Sequence, residues 1–256
     1  MNDITSLPRV AAIATMAGRK EDFERVLPVI YRQVDHVFVY LDGYDAIPDF
    51  LGAYEKLTAH RCEDIGSAAA ARNMHASSRF LCLREIKRPT VVIIFDDDII
   101  YPQDYVSCMT EALHQYDGQA VVGVHGRRFT PPHQSYLHDA TMSHFSRKME
   151  QHRDVHEVGM GTSAFISDRL PLDPTQWESF GMDDINVAYE AQKRGLRRIV
   201  IARPAGWLLP IAENQSDSLW AQTMRNDRAA SRLMRNLLCL YQSQSEALED
   251  MRQTAS

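Results

Sequence analysis

Short apolar runs alternate with amphipathic stretches through the first half of the chain. Residues 10–15 (VAAIAT) read as a strand, and residues 21–32 as a helix with Phe23, Val26, Leu27 and Ile30 on one face. Residues 37–41 (VFVYL) form the next strand, closed by Asp42-Gly43, a turn signal. Residues 47–57 read as helical with Pro48 near the first turn, followed by a weak strand at 58–62. Residues 67–86 are Ala-rich and predict a long helix with Ser67 as its N-cap. The run at 91–95 (VVIIF) is apolar on both faces, so it belongs in the middle of a sheet. Residues 102–116 return to helix and 120–125 to strand.

The second half is less regular. Residues 126–158 contain Pro131-Pro132 and much of the histidine, and read as a long loop or insertion with short elements. Residues 159–166 (GMGTSAFI) form a glycine-led strand, 183–194 a helix ended by Gly195, and 198–202 a strand. From about residue 218 a polar, Arg-rich helical pattern runs almost to the end. Strand–helix alternation of this kind specifies an α/β fold with a mostly parallel central sheet flanked by helices. Two parts are expected: a main domain over residues 1–214 and a C-terminal helical extension over 215–256. Ligands of such sheets gather at the carboxyl ends of the strands, here after Thr15, Leu41 and Phe95.

Composition narrows the function classes. At 256 residues, 45% of them hydrophobic and 24% charged, the chain has the make-up of a globular protein with a substantial core. A formal charge of −6 argues against general nucleic-acid binding, which favours a basic surface. Cys62, Cys82, Cys108 and Cys239 lie far apart without a CxxC pair, so neither a disulfide framework nor a zinc signature is present. The polar start MNDITSLPRV and the lack of any apolar run near the roughly 20 residues of a membrane span lead us to expect a cytoplasmic protein.

The chemistry concentrates at VVIIFDDDIIYP, residues 91–102, where the most hydrophobic strand ends in three adjacent aspartates. Like charges packed together repel, and burying one without a partner is costly. Either the three sit in water, or a cation completes them. Strand alternation places Asp96 and Asp98 on one side and Asp97 on the other. Hard oxygen ligands at that spacing suit Mg²⁺ or Mn²⁺, whose remaining positions are commonly filled by substrate phosphates.

Several separated segments, in this order, resemble the GT-A-fold glycosyltransferases, particularly those similar to glycosyltransferase family 2. VAAIATMAGR resembles that family's first strand and nucleotide-contacting loop, and DHVFVYLDGYD its second strand with an acidic end. GSAAAARN is similar to its glycine-to-Arg-Asn segment, FDDDIIYPQDYV to its DxD strand and helix, and GMDDINVAYEAQKRG to its late acidic-pair helix. The resemblance spans about residues 8–210.

It implies a Rossmann-like nucleotide-diphospho-sugar transferase fold and the transfer of a hexosyl or N-acetylhexosaminyl group. The donor would be a nucleotide-diphosphate sugar, a UDP-sugar first, and the acceptor a glycan or lipid-linked glycan. By the same resemblance Asp96 contacts the ribose or the ion, Asp98 holds the Mn²⁺ or Mg²⁺ that bridges the diphosphate, and Asp97 supports them. Asp42 and Asp64 become candidates for reading the base or ribose, Arg72 and Arg19 for phosphate, and Thr15 and Met16 for backbone contacts to the nucleotide. Asp184 takes the role of general base, with Asp183 as the fallback. Gly159-Met160-Gly161-Thr162-Ser163 brings backbone close to the donor sugar or the acceptor.

Each assignment has a plainer competitor. Asp42 and Asp64 sit in turn contexts, and Asp183-Asp184 is also a common way to begin a helix. Trp177 and Trp207 suit sugar stacking but more often pack in cores. Six histidines fall within 125–156, where a polar loop over the site explains them better than zinc. Many relatives place a metal-ligating histidine after the acidic pair; this chain has none there, and Asn214 or Gln215 is left as the substitute. Arg225, Arg228, Arg232 and Arg235 share one helical face beside Leu233, Met234, Leu237, Leu238 and Tyr241. That face fits either peripheral contact with the inner side of a membrane or docking on the chain's own domain. The competing functions are a nucleotidyltransferase acting on a sugar phosphate, disfavoured by the single glycine in AAIATMAGRK, and a non-catalytic sugar-binding module.

Overall fold

The apolar runs of the first half become adjacent strands of one sheet. A computed structural model describes residues 3–65, 74–178, 180–211 and 226–254. In chain order the strands are β1 (Arg9–Met16), β2 (His36–Asp42), β3 (Leu57–Arg61), β4 (Val91–Phe95), β5 (Ile99–Ile100), β6 (Ala120–Gly123), β7 (Gly126–Phe129), β8 (Ala140–Ser143), β9 (Arg153–Asp154), β10 (Glu157–Val158), β11 (Thr162–Ile166), β12 (Arg197–Val200) and β13 (Leu209–Pro210). The α-helices among the described residues are α1 (Lys20–Tyr31), α2 (Tyr105–Gln115), α3 (Asp183–Lys193) and α4 (Arg228–Thr254).

Eight strands form the central sheet in the order β3-β2-β1-β4-β11-β6-β12-β9. β1 pairs in parallel with β2 and β4, β2 with β3, and β6 with β12, whereas β11 runs antiparallel between β4 and β6. Strand alternation divides the core. Ala11, Ile13, Val37 and Val39 face α1 and α2, while Val10, Ala12, Phe38 and Tyr40 face the layer built from Phe80, Leu81, Val187 and Ala191. Phe23, Val26, Leu27 and Ile30 of α1 are all buried, as their spacing predicts, and each such side chain contributes about 1.5–3 kcal/mol.

Two predicted helices come out differently. Residues 47–57 shrink to a 3-10 turn at Asp49–Ala53, because adjacent Phe50 and Leu51 both pack inward. The first part of the predicted 67–86 helix, with Arg72, lies outside the described residues. Its remainder is a 3-10 helix, His75–Arg84, in which Ser77 through Cys82 are all buried. Six consecutive buried residues cannot be arranged on one face of an amphipathic α-helix, and tertiary contacts override the helical propensity of the segment.

The irregular stretch 126–158 supplies a small sheet, β10-β7-β8, beside the main one. The C-terminal helix docks beneath it. Ala230, Met234 and Leu237 pack with Phe129, Tyr136, Ile185 and Ala188, and Leu233 and Leu238 flank them. The apolar face of the tail is therefore covered by the chain itself, while Arg228, Arg232 and Arg235 stay exposed. Among the described residues no helix is long and apolar enough to cross a membrane.

Candidate active site

Register brings the strand ends together. Met16 pairs with Asp42 across β1 and β2, and Ile13 pairs with Phe95 across β1 and β4. Antiparallel β11 begins where β4 ends, with Thr162 opposite Phe95. The carboxyl ends of β1, β2 and β4 thus meet the start of β11 around a cleft of about 560 Å³. Thr15, Met16, Arg19, Asp42, Asp96, Asp97, Asp98, Asp183 and Asp184 all line it. Asp64 does not; its largely exposed carboxylate pairs with Arg61 at 3.1 Å.

The aspartate triplet is arranged differently from strand alternation. β4 ends at Phe95 and the next residues turn, so the two-residue period does not extend through them. Asp97 does not point away alone. Arg19 Nη1 donates to both Asp97 Oδ1 and Asp98 Oδ2 at 3.1 Å. Asp96 Oδ1 instead accepts from Arg79 Nη1 at 2.6 Å. Part of the missing positive charge is thus internal. Burial pushes the Asp97 carboxyl up, against the Thr15 hydroxyl and Arg19. Burial and then the charge of Asp96 push Asp98 up to about 7, with Arg19 opposing.

At the start of α3 the two acidic residues take different partners. Asp183 is buried; Ser77 Oγ donates to its Oδ1 and Arg79 Nη2 to its Oδ2, the latter at 3.2 Å. Asp184 Oδ1 accepts from the backbone N–H of Met160 at 2.8 Å. Burial raises its pKa to about 6, with that N–H opposing. Gly161 follows Met160, and a Cβ there would overlap the Asp96 carboxylate, so only glycine allows this approach. Tyr101 fastens the same junction: its hydroxyl accepts from Asp96 N at 2.9 Å and donates to Gly161 O at 2.5 Å.

Four cleft residues were not singled out by the sequence reasoning: Arg79, Arg127, Tyr136 and His75. His75 Nδ1 lies 2.8 Å from Asp42 Oδ2. Arg127 stands over the Tyr136 ring at 4.4 Å, and its Nε is 3.5 Å from the buried Glu157 Oε1. Tyr136 Oη donates to that same oxygen at 2.6 Å, while Glu157 Oε2 is buried with no hydrogen-bond partner among the described residues. Burial and the charge of Asp184 raise Glu157 to about 8, against Arg127. Ala230 of α4 also lines the cleft. Tyr136 N donates to Ser231 Oγ at 2.9 Å and Ser135 Oγ to Asp227 Oδ2 at 2.6 Å, so the start of α4 holds the loop that carries Tyr136.

Of the histidine-rich stretch, His125 and His144 reach the cleft. Burial, reinforced by His144, drops His125 to about 3 and keeps its ring neutral. His156 stacks on Phe129 and accepts a hydrogen bond from its N–H at 2.8 Å, which commits it to packing. Trp177 packs edge-on against Phe80, and Trp207 against Tyr105 with its Nε1 donating to Asp104; neither lines the cleft. Asn214 and Gln215 lie outside the described residues.

Among the described residues, no three His, Cys, Asp or Glu side chains converge into a self-contained metal cage. A Mg²⁺-type site needs only one or two carboxylates when substrate phosphates complete the shell. The charge balance fits such a cation: six carboxylates (Asp42, Asp96, Asp97, Asp98, Asp183 and Asp184) face three guanidiniums (Arg19, Arg79 and Arg127) along the cleft. An anionic diphosphate meets net repulsion there unless a cation accompanies it.

Scanned against protein-family models and curated proteins, the sequence matches none. Solved structures do match. GalNAc-T7, crystallised with UDP, GalNAc and Mn²⁺, aligns at a TM-score of 0.56 with 12% identity, over 85% of this chain and 48% of that one. S. aureus TarS 1–349 in complex with UDP-GlcNAc aligns at 0.53 with 11% identity, over 83% of this chain and 61% of that one. A third, 4-diphosphocytidyl-2C-methyl-D-erythritol synthase, reaches a TM-score of only 0.49, which carries no argument. The fold is that of the GT-A glycosyltransferases. The chain spans about half the length of the first of these neighbours and three-fifths of the second.

Proposed function

We propose that the protein is a metal-dependent, inverting glycosyltransferase that moves a sugar from a nucleotide-diphosphate donor, a UDP-sugar first, to a glycan or lipid-linked acceptor hydroxyl. The observation that carries this reading is the convergence of the aspartate triplet and Asp184 on one cleft of a GT-A fold. Asp42 and the ends of β1 and β2 receive the nucleoside. Asp96 and Asp98 would hold Mn²⁺ or Mg²⁺, which as a Lewis acid would neutralise the charge growing on the leaving diphosphate. Arg19 stands beside Asp98, where a phosphate oxygen also has use for its guanidinium.

Asp184 is the general base. Its pKa of about 6 keeps it ionised at neutral pH yet close enough to it for efficient proton transfer. As the acceptor oxygen attacks the anomeric carbon, its proton passes to Asp184; the new glycosidic bond forms while the bond to the diphosphate breaks. Asp183 is consumed by Arg79 and Ser77 and serves position rather than proton transfer.

A panel of nucleotide sugars with Mn²⁺, read by nucleoside-diphosphate release, tests the proposal. One donor should turn over, Asp184→Asn should lower turnover by about 10²–10⁴-fold while donor still binds, and Asp98→Asn should abolish donor binding and turnover. If no donor binds or reacts, and Asp98→Asn changes nothing, the reading fails.

A further inference from the structure

Two carboxylates of the cleft, Asp96 and Asp183, share one buried guanidinium, and contacts through Met160, Gly161 and Tyr101 close a circuit that includes Asp184. Arg79 is 5% exposed. Its Nη1 donates to Asp96 Oδ1 at 2.6 Å and its Nη2 to Asp183 Oδ2 at 3.2 Å. Nη1 also lies 3.4 Å from the carbonyl of Phe95, the last residue of β4. Next along the chain from Asp183, Asp184 is held by Met160 N–H. Gly161 then closes the circuit, because Asp96 rests against its Cα and Tyr101 ties Asp96 N to Gly161 O.

We infer that Arg79 is a positioning residue: its planar fork sets the distance between the carboxylate at the donor end and the helix start that presents the base. The inference rests on the glycosyltransferase reading for the roles of Asp96 and Asp184, but the circuit itself is a matter of contacts. A guanidinium suits the task because its donors are fixed in one plane and engage two acids at once. A lysine ammonium is a single point on a flexible stem and cannot span both acids in a fixed geometry. Position matters here because a misplacement of about 1 Å can cost about 100-fold in rate. Burial alone disfavours the charge of Arg79, and Asp96 and Asp183 outweigh it, so the guanidinium remains fully protonated throughout.

Arg79→Lys keeps the charge and loses the fork. The Arg79→Met/Asp183→Asn double variant removes both buried charges together and leaves unpaired only Asp96, whose side chain is partly exposed. For each, three quantities are compared with the parent chain: calorimetric affinity for Mn²⁺ with UDP, kcat and KM for the donor, and a crystal structure. The expected result is affinity and donor KM within about threefold of the parent, with kcat lower by about 100-fold. The structures should show Asp183 parted from Ser77 and the Asp184 carboxylate displaced relative to Asp98.

Parent-like kcat in a folded Arg79→Lys overturns the inference. Loss of Mn²⁺–UDP affinity with unchanged kcat also overturns it, since Arg79 would then serve donor binding. A failure of the glycosyltransferase reading looks different: the parent neither binds nor turns over any donor. In that case the crystal structures decide, and an unmoved α3 start in both variants sinks the positioning role by itself.

Discussion

Six aspartates line one cleft, yet the triplet after β4 and the pair at the start of α3 manage their charge in opposite ways. The triplet shares guanidiniums: Arg19 serves Asp97 and Asp98, and Arg79 serves Asp96. It still has more carboxylates than guanidiniums, and burial first, then the charge of Asp96, raise Asp98 to about 7. The pair divides its labour. Asp183 takes the arginine and the serine, whereas Asp184 takes a single backbone N–H and is left with a pKa near 6. The surplus at the triplet suits a cation, and the poised carboxyl at the pair suits a proton. One residue type thus yields two chemistries through its neighbours.

The sharpest test of that division is Asp184→Asn against Asp98→Asn. The first should lower kcat by about 10²–10⁴-fold, with Mn²⁺–UDP affinity intact by calorimetry. The second should lose that affinity; equal effects of both on binding would erase the distinction. Next in size, Gly161→Ala places a methyl group where the Asp96 carboxylate lies. It should cost about 1–3 kcal/mol in thermal or urea denaturation and weaken Mn²⁺–UDP binding.

A smaller effect separates the two groups by pH. Asp184 has a raised pKa, so it is protonated and inactive as a base below about 6. The kcat profile should therefore rise with pH through that point, and a flat profile from 5 to 8 would contradict the base assignment. Smallest is Glu157→Gln. Glu157 binds its proton more tightly folded than unfolded, so its stabilising contribution is full below pH about 4.5 and is lost as pH rises through about 8. Glutamine stays neutral and keeps an acceptor for Tyr136. The fall in melting temperature between pH 6 and 9 should be shallower in the variant than in the parent.

Strands and the first helix were legible because their signals are local: VVIIF can be nothing but a buried strand, and the α1 face repeats at helical spacing. The triplet and the acidic pair were legible because they follow or begin such elements. Arg79 was hidden inside a segment whose alanines suggested an ordinary α-helix, and its value comes from Asp96 and Asp183, 17 and 104 residues away in sequence. Arg127, Tyr136 and Glu157 were hidden in the irregular stretch, where no periodicity indicates which side faces inward. Asp64, the second candidate for reading the base, does not line the cleft, and its carboxylate pairs with Arg61, three residues away.

The docking of α4 has a consequence for when the site comes into being. Ala230 is part of the cleft wall, and Ser231 and Asp227 anchor the loop bearing Tyr136. A chain clipped by a protease ahead of Asp227 lacks that wall and those anchors. The cleft is therefore complete only once α4 has docked.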